Sequence, residues 1–430
     1  MYKRFVDLIK KRAVAAVRRS GVVHFGDSTL RDGEQAPGAS LGAEDRVRVA
    51  RALEALGVDS VEAGFPASSP EEFAGVRAVA RDLHRVVVAA FCRTVPRDIE
   101  AAKEALADRS VRKRAAILCI GSSPIHRSRN LGMTRAEVVR AAVEAVACAQ
   151  PEFQIITFGA EDASRTEPDF LLELYREAIQ AGAVVVGFTD TIGRLTPDEA
   201  AHWVRRIQDG VPELDRACLA VHFHNDLGLA TANTLSALRA GADIAQVTLG
   251  GIGERAGNAA LEEVAVALAV RGDWVGKRTS LRLERLLETC RLHNRLTGLA
   301  PGPSKAVIGP NAFRTEAGMH QEGLLKDPAV YEPYPPSLVG ADGWDIVLGR
   351  HCGRGGLRYR LGRIGIRPTD EELGRFFRHF KRWAASHREA TDRDLAALWE
   401  RFARESAGGK GSRSHFSMEA LIASEPADEK

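Results

Sequence analysis

Two short stretches carry the side chains best suited to chemistry. The first, HFGDSTLRDGEQAPG, runs from His24 to Gly38 and sets Arg31 beside Asp32 just past an apolar run. The second, VHFHNDLG, runs from Val221 to Gly228 and places His222 and His224 two residues apart. On a β-strand, residues i and i+2 face the same way, so both imidazoles project together. With Asn258 from GERAGNA they make a set of two imidazoles and two oxygens. Such a set suits a divalent ion such as Mg, Mn, Fe, Co or Zn; the soft thiolates that select other metals are missing. An HxH pair alone is more often a hydrogen-bonded structural pair. The metal reading therefore depends on whether the chain brings three strand ends together. Arg31 is either one half of a structural ion pair or a permanent positive charge placed to stabilise a developing enolate or alkoxide.

The elements that must position these residues follow a regular rhythm. Eight apolar or β-branched runs occupy 22–29, 60–66, 86–92, 115–123, 153–162, 183–191, 218–226 and 243–251. Amphipathic helical patterns separate them. One ends at Gly57 as a left-handed stop. Another carries a capping box from Thr134 to Glu137, and a third opens with Thr196, Pro197 and Glu199. Strands alternating with helices imply βα units and a parallel sheet. Eight units in roughly 250 residues match a closed (β/α)8 TIM barrel. An open doubly wound sheet is the second choice, but the GxGxxG loop expected after its first strand is absent.

A barrel of this kind carries its site at the C-terminal ends of the strands. The polar residues gather there: Arg31 and Asp32, Glu62, Arg93, then Ser122, Ser123, His126 and Arg127. Glu161 and Asp162, Asp190 and Thr191, His222, His224 and Asn225, and finally Glu254 and Asn258 complete the circuit. Glu161 next to Asp162 can serve acid–base chemistry, while Asp162 can equally cap the helix that follows. The glycine-rich GERAGNA opens a helix and offers a weak anion cradle.

The expected organisation is an N-terminal helix at 1–20, the barrel over 21–275, a helical connector over 276–310, small helical subdomains over 311–405 and a disordered tail over 406–430. The near-balanced net charge of +3 argues against a nucleic-acid partner. No run of about 18 apolar residues exists to span a membrane. The six cysteines stand singly, with no CxxC pair, which points to a reduced, cytoplasmic protein.

Taken together, DSTLRDGEQAPG, HFHNDLGLATAN, GIGERAGNAALEEV and GMHQEGLL resemble the barrel-type acyl-CoA condensing family that holds 2-isopropylmalate, homocitrate and citramalate synthases. The likeness spans about residues 22–353. It implies a TIM barrel with C-terminal helical subdomains, a homodimer, a divalent metal (Mg, Mn or Zn) and acetyl-CoA condensing with a 2-oxo acid. It further implies Asp32, His222, His224 and Asn258 as metal ligands and Arg31 as the residue that stabilises the enolate. Glu161 and Thr191 match substrate-contacting positions. His320 and Tyr331 match subdomain residues that reach into the partner subunit's site, with His320 a candidate base assisted by Glu161 or Tyr331.

The oxo acid is read from mixed signals. RDGEQAPGAS and VEAGFPASSP are similar to isopropylmalate synthases, whereas FGAEDASR, KDPAVYEPYPPSLVG and LGRHCGR are similar to homocitrate synthases of the nitrogen-fixation type. His126 matches the former and Arg127 the lysine-pathway homocitrate synthases. An arginine binds a second carboxylate bidentately, as on 2-oxoglutarate, whereas a branched acid such as 2-oxoisovalerate wants an apolar wall. On that ground the sequence favours homocitrate synthase, with 2-isopropylmalate or citramalate synthase as alternatives. A carbon–carbon lyase on the same barrel and a catalytically inert scaffold are the more distant readings.

Overall fold

The computed structural model describes residues 2–108 and 114–406. From residue 407 on, the tail expected to be disordered lies outside the described residues. The chain divides into two compact units, the first running to Gly309 and the second starting at Pro310.

The first unit opens with helix α1 (Tyr2–Ser20) and then builds eight parallel strands: β1 (His24–Asp27), β2 (Ser60–Glu62), β3 (Val87–Arg93), β4 (Arg114–Gly121), β5 (Ile155–Glu161), β6 (Val185–Asp190), β7 (Cys218–Phe223) and β8 (Ile244–Val247). They close in sequence order, β8 pairing back onto β1 through His24↔Ile244 to Asp27↔Val247. Between them lie α2 (Ala43–Leu56), α3 (Pro70–Asp82), α4 (Pro96–Ala105), α5 (Arg135–Ala149), α6 (Pro168–Ala181), α7 (Pro197–Gly210) and α8 (Ala230–Ala240). Helices α9 (Leu261–Val275) and α10 (Leu286–Thr297) follow β8 within the same unit. The stretch expected as a separate connector at 276–310 thus falls almost wholly inside the first unit.

Local chemistry explains where the helices begin and end. Both capping boxes form, Thr134 with Glu137 and Thr196 with Glu199. Helix α2 ends on Gly57 at φ 99°, a conformation that costs a residue with a Cβ dearly.

The barrel has two unlike faces. Outward residues such as Val88, Leu118, Phe158, Phe188, Val221 and Phe223 are fully buried under the helices. Parallel partners share a face, and the register runs Cys119↔Gly159, Gly159↔Gly187 and Gly187↔Ala220, in phase with His222. The inner wall at this level is therefore made of small residues, and Ile117, Cys119, Thr157 and Thr189 on the same face are only half-buried. Outside the strands, the fully buried Tyr175 on α6 donates its hydroxyl to Gly187 O at 2.8 Å.

The second unit contains a short parallel pair, β9 (Arg314–Thr315) with β10 (Asp345–Ile346). Its helices are α11 (Gly318–Lys326), α12 (Arg354–Arg363), α13 (Asp370–Ala384) and α14 (Asp392–Ser406). Leu357, Leu361, Phe376, Phe380, Leu395 and Phe402 form its core. Among the described residues, no helix is long and apolar enough to cross a membrane.

Replacing Tyr175 by Phe removes one buried hydrogen bond at nearly constant volume. We expect a loss of about 1 kcal/mol, read as a thermal midpoint lower by roughly 1–2 °C. An unchanged midpoint would mean that the strand ladder alone satisfies Gly187 O.

Candidate metal centre

Closure of the barrel brings the ends of β1, β7 and β8 together. Asp32 leaves β1 through a short turn, while His222 and His224 stand at the end of β7. Asn258 returns on the loop after β8 and forms an isolated antiparallel bridge with His224. Asp32, His222 and His224 each turn one ligand atom toward the others, all within 4.8 Å, and all three residues are buried. The two Nε2 atoms lie 3.3 Å apart, and His222 Nε2 is 3.9 Å from Asp32 Oδ2. Asn258 Nδ2 donates to Asp32 Oδ1 at 2.7 Å and to Ile252 O at 3.1 Å.

The electrostatics suit a cation. Burial pushes His222 down to about 3, the neighbouring His224 adds to this, and Asp32 pulls the other way. Burial likewise lowers His224. Both imidazoles are thus neutral at pH 7, the form that ligates a metal. Asp32 is subject to burial, which would raise it, but Arg31, His222 and His224 outweigh that and hold it well below the usual carboxylate range. One orphaned atom adds a structural argument. Asn258 Oδ1 is buried without a hydrogen-bond partner, which is costly unless something else satisfies it. One carboxylate, two neutral imidazoles and an amide oxygen fit a divalent ion.

Arg31 lies against this group. Its Nη1 donates to Asp32 Oδ2 at 2.7 Å, and its Nε and Nη2 clasp Glu62 at 2.8 and 3.2 Å. Its guanidinium carbon lies 4.9 Å from the centre of the Phe91 ring. Ser28 also hydrogen-bonds Glu62. The sequence places Glu62 among the polar strand ends without marking a role for it. Its place on the inner face of β2, in phase with the inward Ala89 and Phe91, is the signal that would have found it.

A second group gathers at the ends of β4, β5 and β6. His126 Nδ1 is 3.7 Å from Glu161 Oε1, and its Nε2 is 3.7 Å from Asp162 Oδ2. Thr191 Oγ1 accepts from the Asp162 backbone N at 2.8 Å. Asp162 does not cap the next helix. It adopts a left-handed conformation, φ 59°, and binds Arg165 through both oxygens at 2.9 Å.

Arg127, expected near a distal carboxylate of the substrate, has a carboxylate partner within the protein. It is buried in a π-helical turn, His126–Leu131, and pairs bidentately with Glu167 at 2.9 and 2.8 Å. Its guanidinium carbon sits 4.8 Å from the centre of the Phe170 ring. Glu167 is pulled down to about 2, chiefly by the Arg127 hydrogen bond. The fork that was to meet a distal carboxylate already holds one from the protein. His320 and Tyr331 belong to the second unit, where their rings stack with centroids 4.2 Å apart.

A closed (β/α)8 barrel carrying at its C-terminal rim a buried nitrogen–oxygen cluster that could hold a metal is the class of protein these features define. Residues 22–292 match the family model described as HMGL-like, and residues 307–388 match the one described as homocitrate synthase post-HMGL domain-like. The chain belongs to the HMGL-like family, in the branch that holds the homocitrate and 2-isopropylmalate synthases. It is 45% identical over 395 residues to a 2-isopropylmalate synthase of Pyrococcus furiosus, covering 92% of this chain and 78% of the relative. A 2-isopropylmalate synthase of Bacillus velezensis is 46% identical over 372 residues, covering 86% and 71% respectively. Among solved structures, hydroxymethylglutaryl-CoA lyase from Pseudomonas aeruginosa aligns with a TM-score of 0.55 at 22% identity, over 66% of this chain and 96% of the lyase. The likeness to that lyase is one of fold.

Asp32→Ala should weaken Mn2+ binding by more than about 100-fold, beyond the range of changes around a metal ligand, while the protein stays folded. His126→Ala, outside the cluster, should leave Mn2+ affinity within about threefold of the parent, a far smaller change than those around a ligand. Titration calorimetry on both variants decides the matter, and equal loss in both would reject the ligand assignment.

Proposed function

We propose that this chain condenses acetyl-CoA with 2-oxoisovalerate and hydrolyses the thioester, as a 2-isopropylmalate synthase. The observation that carries the reading is its 45% identity, over 92% of its length, to a relative of that name. The sequence put 2-oxoglutarate first because Arg127 was to bind the second carboxylate. With Arg127 engaged by Glu167 and Phe170, that reason falls away. The half-buried Ile117, Cys119, Thr157 and Thr189 on the inner wall of β4–β6 suit an aliphatic side chain better than a charged one. The reading carries a homodimer and a cytoplasmic setting with it.

The four candidate ligands, Asp32, His222, His224 and Asn258, would hold a divalent metal such as Mg, Mn or Zn. Bound there, it would supply Lewis-acid polarisation of the 2-oxo acid's carbonyl. Arg31, fixed by Glu62, stands ready to balance charge on the acetyl-CoA enolate. A base takes one methyl proton, the new carbon–carbon bond forms at the keto carbon, and the keto oxygen gains a proton. Water then splits the thioester and releases the CoA thiol. A base candidate is His320, reaching into the site of the partner subunit and assisted by Glu161 or Tyr331, while His126 and Thr191 would contact the substrate.

The test is release of free CoA thiol from acetyl-CoA, with 2-oxoisovalerate, 2-oxoglutarate, pyruvate and oxaloacetate assayed in parallel with Mg2+ or Mn2+. We expect 2-oxoisovalerate to be preferred. Preference for 2-oxoglutarate would restore the homocitrate reading, and no release with any acid would reject a condensing enzyme. Arg127→Met should lower turnover of 2-oxoisovalerate and 2-oxoglutarate by similar factors. It should also lower the thermal midpoint, because Glu167 loses its bidentate partner and keeps only Arg135 at 3.0 Å. A loss confined to 2-oxoglutarate would return Arg127 to the substrate.

A further inference from the structure

Beneath the loop after β8 lies a carboxylate that the chemistry above does not use. Glu262 stands in the first turn of α9 and is fully buried. An acid at such a position normally sits in water and gains from the helix dipole. Burying it is expensive unless its partners compensate. One oxygen, Oε2, accepts from Gly250 N at 3.0 Å. The other has no hydrogen bond, and Lys305 Nζ lies 3.6 Å from it. Burial pushes the carboxyl up to about 7, and Lys305 pulls against that. Lys305 is itself tethered to Glu263, which also accepts from Thr231 Oγ1 at 2.7 Å.

The peptide that Glu262 holds directs the loop. Gly250 and Gly251 both adopt φ 69°, a reversal that suits glycine. Gly251 O then accepts from Asn258 N at 2.9 Å, and Asn258 Nδ2 reaches Asp32 Oδ1. The loop has little slack. A Cβ on Gly257 would come within 2.0 Å of Gly251 O, and one on Gly253 within 2.2 Å of Asn258 Nδ2. A continuous chain of contacts thus runs from Lys305 through Glu262 and the Gly250–Gly251 turn to Asn258 and Asp32. Leu249 N is fixed beside it by Thr29 Oγ1 at 2.9 Å, and Thr29 in turn donates to Asp27 Oδ2 at 3.0 Å.

We propose that Glu262, braced by Lys305, is a positioning residue for the metal centre: it holds the Gly250–Gly251 turn in the one shape that returns Asn258 to Asp32. It touches neither metal nor substrate. The proposal rests on the metal reading of the Asp32 cluster. Residues that orient metal ligands from outside typically change affinity 10–100-fold when lost.

The test uses the full chain and Mn2+ alone, with affinity measured by calorimetry and folding by circular dichroism. Glu262→Ala should bind Mn2+ at least 10-fold more weakly. Glu262→Gln keeps an acceptor for Gly250 N and should remain within about threefold of the parent, a rescue that loss of packing alone does not produce. Lys305→Met, which leaves the carboxylate in place but unbraced, should weaken Mn2+ binding at least threefold and serves if Glu262→Ala does not fold. Mn2+ affinity unchanged in folded Glu262→Ala, equal loss in the Ala and Gln variants, or unchanged affinity in Lys305→Met would each overturn the proposal. Asp32→Ala is the control. If it binds Mn2+ as the parent does, the metal reading fails and takes this proposal with it.

Discussion

One buried, ionised carboxylate is shared by three chain segments that are far apart in sequence. Asp32 accepts from Arg31 and from Asn258, and it lies across from His222. Its charge is tolerable in a dry site because the Arg31 guanidinium and the Asn258 amide both donate to it. Remove that charge and Arg31 keeps only Glu62, Asn258 loses the acceptor that orients its amide, and the two histidines face each other with nothing to converge on. Barrel closure matters for the same reason. Only when β8 pairs with β1 do the loops after these strands meet, and only then does the carboxylate find its partners.

Much of this was legible in the sequence because it follows local rules. The eight strands show as apolar runs separated by amphipathic stretches, and the helix starts at Thr134 and Thr196 carry their own capping chemistry. The HxH spacing announces two side chains on one face, and the placement of polar residues at strand ends marks the rim. Convergence of Asp32, His222 and His224 was an inference from topology, and the geometry agrees with it.

What the sequence hid is tertiary. Arg127 reads as a substrate-binding cation until its partner is known. Glu167 lies 40 residues away and gives no local sign that the two will pair, or that Phe170 will lie beneath the guanidinium. Glu62 sits in a short apolar strand and looks incidental, yet it clamps the Arg31 side chain. Asp162 follows a strand and precedes a helix, which suggests a cap. Its left-handed backbone turns it instead onto Arg165. In each case the decisive partner comes from burial or backbone conformation rather than from spacing.

The two faces of the barrel carry separate duties. Large aliphatic and aromatic residues fill the layer between strands and helices, where close packing sustains the fold. The lumen is lined by Gly26, Ala89, Ala115, Gly159, Gly187 and Ala220, which contribute little to that packing. Exchanging a lumen residue for a neighbour in size therefore alters the space offered to a guest while the framework that carries it stays intact. Such a division lets an ancestral scaffold diversify its choice of small molecule through inner-wall changes alone, with the outer layer acting as a reserve of tolerance.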